Sequence, residues 1–134
     1  MAVLNEEQSM LRDAAKSWAQ EKSPVTAFRK MRDSGAELGY DAAAWNEMAE
    51  MGWAGVVVPE EYGGSQFGYL SIGLILEELG RTLTASPLTA SAVGAASALA
   101  LGGSDAQKGE WLPKIAAGEV VGALAVDEGA HHAP

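Results

Sequence analysis

The chain has 134 residues, 48% of them hydrophobic and 20% charged, which is room for one soluble domain and excludes a complete second one. With 9 basic against 18 acidic residues the formal charge is -9, and the basic side chains are scattered, so nothing here fits a nucleic-acid backbone. The absence of cysteine excludes a disulfide framework, a thiolate zinc site and a cysteine nucleophile; the acidic start after Met1 lacks the pattern of a signal peptide, and the expected location is the cytoplasm.

Asn5 is placed to cap a first helix, with Gln8 at the capping-box position and Glu6 and Glu7 complementing the dipole. Met10, Leu11, Ala14, Ala15, Trp18 and Ala19 then form one apolar stripe to about Lys22. Ser23-Pro24 reads as an N-cap followed by proline at the first helical position, opening a short segment that Ser34-Gly35 ends. Asp41 caps a third helix with Trp45, Met48 and Ala49 on its apolar face, and Gly52 stops it. Val56-Val57-Val58 reads as an extended buried connection closed by Pro59, and residues 59–64 as a turn-rich loop. From Tyr69 to Thr82 an amphipathic helix is expected, with Ile72, Ile75, Leu76, Leu79 and Leu83 as its stripe.

No charged residue occurs between Arg81 and Asp105, a stretch about long enough to cross a bilayer. Its Ala, Gly, Ser and Thr content and the breaks at Pro87 and Gly102-Gly103 favour a buried helix over a membrane span. That helix, with Leu88, Ala92, Val93, Ala95, Ala96, Leu99 and Leu101, has no polar face and is expected near the centre. Small residues there either let helices approach closely or leave a cavity for an apolar ligand, and both readings stay open. Ser104 to Gln107 repeats the capping-box pattern, opening a helix with Trp111, Leu112 and Ile115 on one side and a kink expected at Pro113. Val120 to Val126 lacks helical periodicity and reads as a strand with no later strand to pair with. The expected fold is all-α, with five or six helices over residues 1–118 and the first strand of a further β-domain over 119–134.

Residue chemistry alone names no reaction. The adjacent His131 and His132 have no evident nucleophile, and joining them with Asp127 and Glu128 on one metal ion requires a special turn, so a tail is favoured over a metal site. Glu60-Glu61 and Glu77-Glu78 read as solvated faces or helix-end pairs before catalytic dyads. Gly63-Gly64-Ser65 lacks the lysine and glycine spacing of a P-loop and reads as a turn.

The stretch Met51 to Gly64 nevertheless resembles a signature of the amino-terminal domain of flavin-dependent acyl-CoA dehydrogenases. Glu77 to Arg81, then Gln107-Lys108 with Trp111 to Pro113, and finally Gly118-Glu119 with Gly122 to Val126 follow in the family's order and spacing. The resemblance implies the helical part of a three-part enzyme that oxidises a saturated acyl-CoA to its 2,3-enoyl form, in fatty-acid or sterol side-chain breakdown. The other parts are a central β-domain and a four-helix bundle, FAD is the cofactor, and the full protein is a homo- or hetero-oligomer, dimer or tetramer. A glutamate of the bundle removes the α-proton, so this chain has no catalytic base and is expected to be inactive alone. Electron-transfer flavoprotein or a similar acceptor follows as partner.

By the same resemblance the acyl chain lies between the helices matching 69–82 and 87–101, with Leu88, Ser91, Ala92 and Ala95 lining the groove. Each methylene admitted or excluded there is worth about 1 kcal/mol. Leu124, Val126 and Asp127 fall in the stretch that meets the flavin ring edge. Asp127 stands where the family commonly has threonine, and a carboxylate accepts but does not donate hydrogen bonds. This fits a divergent dehydrogenase or a flavin-poor subunit of a heteromeric one. A stand-alone helical interaction module is the alternative from another class.

Overall fold

The computed structural model describes residues 3–35 and 37–126. Helix α1, Glu6–Lys22, starts where the sequence places it: Asn5 Oδ1 accepts the Gln8 N–H at 2.7 Å and Gln8 Oε1 accepts the Asn5 N–H at 3.1 Å. Its buried face is Ala15, Trp18 and Ala19, laid along α4, Gly68–Arg81. The next boundary is shifted by one residue from expectation. Pro24 itself is the N-cap of α2, Val25–Asp33, and Ser23 closes α1 by donating its N–H to the Ala19 carbonyl at 3.2 Å. No residue of α2 is fully buried. Helix α3, Ala42–Glu50, is capped by Asp41, whose carboxylate accepts the Ala44 N–H at 2.8 Å, and it buries Trp45 and Met48.

Gly52, at φ 79°, turns the chain so that Trp53 drops into the core. The expected extended run at Val56–Val58 is not there. Trp53–Gly55 is a 3₁₀ turn, Val56 keeps right-handed helical dihedrals, and Val58 donates to the Gly55 carbonyl at 3.1 Å. β-Branched residues mark a site that packs against neighbours on two sides, and this turn supplies that packing without a sheet. A second 3₁₀ turn, Glu60–Tyr62, ends at Gly63 with φ 84°. The chain then runs back over the first turn: Ser65, Gln66 and Phe67 donate to the carbonyls of Gly55, Val58 and Val56 at 3.0, 3.1 and 2.8 Å. The loop reading of residues 59–64 is thus a tightly bonded knot.

In α4, Ile72, Ile75 and Leu79 form the buried stripe, but Leu83 lies beyond the helix. It takes φ 56° where the chain leaves α4 and is 55% exposed, while the Thr84 N–H reaches back to the Leu79 carbonyl at 3.0 Å. A residue with a Cβ is strained in that conformation. Glu78 departs from the solvated-face reading as well: it is buried, with Oε2 3.3 Å from Arg81 Nε.

The uncharged stretch forms a π-helical segment, Thr89–Ala95, that passes directly into α5, Ala96–Gly102. Leu88, Ser91 and Ala92 are completely buried, as expected of a central helix, whereas Leu101 at its far end is 82% exposed. Helix α6, Asp105–Ala116, opens with the second capping box, Ser104 Oγ accepting the Gln107 N–H at 3.3 Å and Gln107 Oε1 accepting the Ser104 N–H at 2.9 Å. It continues through Pro113, which has no N–H to give the Gly109 carbonyl. Replacing Ser104 with alanine is expected to lower stability by about 1 kcal/mol, read as an earlier urea midpoint at unchanged slope.

After α6 the expected strand is absent: residues 121–126 carry no strand or helix assignment. A strand is defined by its ladder, and among the described residues no second strand exists to form one. Two apolar clusters hold the helices together. The larger joins α1, α3, α4 and the start of the π-helical segment around Trp53 and Met48; the smaller joins Val58, Ala95, Ala96 and α6 around Leu112 and Ile115. Among the described residues no helix is long and apolar enough to cross a membrane.

Candidate functional site

The π-helical segment and the residues that follow α6 meet. A π turn widens the helix and is rare, and where it occurs it is frequently at a functional site. The terminal segment is tied down in three places before it reaches that helix. Trp45 Nε1 donates to the Gly118 carbonyl at 3.0 Å, from a glycine at φ 72° with no room for a side chain beside Ala49. Glu119 and Val120 both donate to the Lys114 carbonyl, at 3.0 and 3.3 Å. Gly122 then donates its N–H to Ser91 Oγ at 3.2 Å.

Glycine at 122 is a steric requirement, since a Cβ there would stand 2.6 Å from the Ala95 Cβ. Two residues later, Leu124 lies over Gly94: a Cβ on Gly94 would stand 3.7 Å from the Leu124 Cβ and 3.9 Å from its nitrogen. The π-helical segment that carries the expected groove residues therefore touches the segment that carries Leu124, through Ser91 with Gly122 and Gly94 with Leu124. Leu88, Ser91 and Ala92 are at 0% exposure and Ala95 at 9%; the terminal segment lies against Ser91 and Ala95, while Leu88 and Ala92 belong to the larger apolar cluster. Leu124 and Val126 are 55% and 71% exposed. Asp127 lies outside the described residues, as do His131 and His132.

The wall continues toward α4, where Tyr69 Oη and Ser97 Oγ are 2.8 Å apart in a hydrogen bond across the helix pair. No ionisable group lies on the helical wall itself, because none occurs between Arg81 and Asp105. The nearby carboxylates are used otherwise. Glu77 pairs with Arg81 at 2.7 Å on the surface, and Glu60 and Glu61 are exposed in the knot. Tyr62 there has its phenol pushed upward, first by loss of solvent, then by the charges of Glu61 and Asp105. Among the described residues no group of His, Asp or Glu is arranged to hold a metal ion.

Two open clefts lie elsewhere. One of ≈ 700 Å³ is bounded by the end of α1, α2 and α3, with Phe28, Met31 and Tyr40 on its wall. The other, of ≈ 760 Å³, runs between α1 and α4 beside Arg12, Lys16 and Arg81. Neither contains Leu88, Ser91, Ala92 or Ala95. Sequence reasoning assigned no site role to Gly94, Gly122, Trp45 or Tyr69. The clue available was the run of small residues at 94–96 together with a glycine inside an otherwise apolar terminal run, which signals close backbone approach.

Residues 5–119 match the family model of the acyl-CoA dehydrogenase N-terminal domain. The mitochondrial isovaleryl-CoA dehydrogenase of Pongo abelii is 35% identical over 130 residues, 93% of this chain and 30% of that protein. A chain of the ChsE4-ChsE5 complex from Mycobacterium tuberculosis superposes with a TM-score of 0.86 at 26% identity, over 100% of this chain and 36% of that one. An acyl-CoA dehydrogenase complexed with FAD from Bacillus anthracis gives a TM-score of 0.73 at 26% identity, over 87% of this chain and 19% of that one. The chain thus spans about a third or less of the length of these relatives. A family match running from the cap of α1 to the residue after Gly118 takes in every helix described above, and the chain belongs to the acyl-CoA dehydrogenase family, of which it represents the amino-terminal helical domain.

Proposed function

We propose that this chain is the acyl-groove domain of an FAD-dependent acyl-CoA dehydrogenase, and that residues 124–127 meet the flavin ring edge. The observation that carries the reading is the contact of the π-helical segment with the terminal segment, Ser91 with Gly122 and Gly94 with Leu124. This contact supports the reading because an acyl-binding wall and a flavin-binding backbone would have to be neighbours. The residues fit such a group: among the described residues, none exchanges a backbone hydrogen bond with 123–126, and exposed peptide N–H and C=O groups are the partners a flavin ring edge takes. FAD, when bound, accepts the β-hydrogen of the acyl group as hydride.

The part of this chain is orientation and dryness. Leu88, Ser91, Ala92 and Ala95 are packed behind the groove wall, so their size sets how closely an acyl group can approach, and a wall without charges keeps water from the carbons that react. The wall carries no carboxylate, and the family resemblance assigns the α-proton to a glutamate supplied by another part of the enzyme. The acceptor beyond FAD is electron-transfer flavoprotein or a similar carrier, and the location is the cytoplasm.

A second reading, a flavin-poor subunit of a heteromeric dehydrogenase, is favoured by Asp127 and by the likeness to a chain of a two-component complex. The test is purification of the protein encoded by the reading frame that contains these residues, with measurement of its FAD content and of acyl-CoA-dependent dye reduction. The proposal expects bound FAD and reduction with at least one acyl-CoA; residues 1–134 alone are expected to stay at the blank rate without flavin absorbance. A flavin-loaded protein inert to acyl thioesters overturns it. Activity restored only by a partner polypeptide, with one FAD for two chains, selects the second reading.

A further inference from the structure

We infer that Ser91, Ala95 and Gly122 form a seat that sets the position of the flavin-edge segment relative to the acyl groove, so that all three are positioning residues. The inference rests on the functional reading above and adds to it the residues through which groove and cofactor segment are coupled. Two observations carry it. Ser91 is completely buried on a helix without ionisable groups, and the bond its Oγ makes runs to the terminal segment, accepting the Gly122 N–H at 3.2 Å. Gly122 in turn sits where any side chain would collide with Ala95.

A hydroxyl enclosed by apolar neighbours is costly without a partner, and a peptide N–H likewise. Each satisfies the other, which holds the chain at one residue of register. Upstream the segment is fixed at Gly118 and at Lys114, so Gly122 is the last anchored point before residues 123–126 extend outward. A side chain inserted at 122 has no direction of relief except to lift this segment off the helix, carrying Leu124 away from Gly94. Because the π turn places Ser91 and Ala95 on the wall itself, a change in that wall is transmitted to the cofactor segment by direct contact.

The experiment uses three variants: Ser91→Ala, Gly122→Ala, and Gly122→Ala combined with Ala95→Gly, which returns the space. In the 134-residue chain, amide exchange at Gly122 is expected to accelerate about tenfold or more in Ser91→Ala, with the helices still protected. In the encoded protein, Gly122→Ala is expected to weaken FAD binding about tenfold and to shift its visible bands, and the double variant to recover most of both, as coupled neighbours do. A merely structural role would lower the unfolding midpoint without moving the flavin spectrum. Unchanged Gly122 exchange in Ser91→Ala, or Gly122→Ala with wild-type FAD affinity and spectrum, overturns the inference. If the unaltered encoded protein holds no FAD, the functional reading fails, and the exchange measurement then decides the seat by itself.

Discussion

Trp53→Ala is expected to lower the free energy of unfolding by about 3–5 kcal/mol, a large part of the roughly 5–15 kcal/mol a domain has. Trp53 is 1% exposed and is the largest fully buried side chain of the described residues. It stands edge-on to Trp18, with ring centroids 5.5 Å apart and planes at 80°, a geometry that contributes about 0.5–1.5 kcal/mol beyond burial. Trp18 is itself held by the bond from its Nε1 to Glu47 Oε2 at 2.8 Å, so α1 is tied to α3 by that bond and to the 3₁₀ turn after α3 by the ring pair. Removing the indole leaves a cavity that three elements must close, and none can move without losing its own contacts. Urea unfolding followed by circular dichroism measures the loss, with Met10→Ala as control. Met10 is 66% exposed, and its truncation is expected to stay within about 0.5 kcal/mol of wild type. A Trp53→Ala loss below that of a surface substitution would place the core elsewhere.

Gly64→Ala is expected to cost about 3 kcal/mol or more, at the upper end of overpacking effects, although the change adds one methyl group. The φ of Gly64 is ordinary, so the backbone would accept alanine; the obstacle is space. A Cβ at 64 would overlap the carbonyl and side chain of Val58, which is fully buried and accepts the Gln66 N–H at 3.1 Å. Relief would open the knot and release the bonds from Ser65 to Gly55 and from Phe67 to Val56 as well. Gly63→Ala is the informative comparison. A side chain at 63 meets nothing but must adopt φ 84°, which is expected to cost about 1–2 kcal/mol by backbone strain alone. Thermal unfolding of the two variants separates the causes, and equal small losses would remove the steric argument.

These two glycines show what kind of information the sequence carried in legible form. The stretch Met51 to Gly64 is readable as a family signature, yet its chemistry is structural: Gly63 supplies a left-handed turn, Gly64 lets two backbones touch, and the paired glutamates before them face solvent. Helix starts at Asn5, Asp41 and Ser104 were legible because a cap is settled by a side chain and an amide three residues apart. Val56–Val58 misread as extended because β-branched residues report two-sided packing, which a buried turn also provides. Leu83 fitted the stripe of α4 by spacing, but the helix had already ended. The π turn was hidden because the apolar pattern of Leu88 to Ala95 does not distinguish it from an α-helix.

At the candidate site the groove and flavin segments were named by resemblance, but their contact was not. That Ser91 serves Gly122, 31 residues away in sequence, is decided by where α6 ends and by Trp45 holding Gly118. No local pattern encodes it. The same holds for Glu78, which looks like a surface residue beside Glu77 until the packing of α4 buries it next to Arg81.

A domain exchange asks whether this domain supplies the groove wall beside a flavin. This chain replaces the matching part of an isovaleryl-CoA dehydrogenase, and the visible flavin bands of the purified hybrid are followed without oxygen while acyl-CoA thioesters are added. The expected result is a flavin-loaded hybrid whose bands bleach with at least one acyl-CoA. A folded, flavin-loaded hybrid whose bands do not bleach with any acyl-CoA, while the parent enzyme bleaches normally, would contradict it.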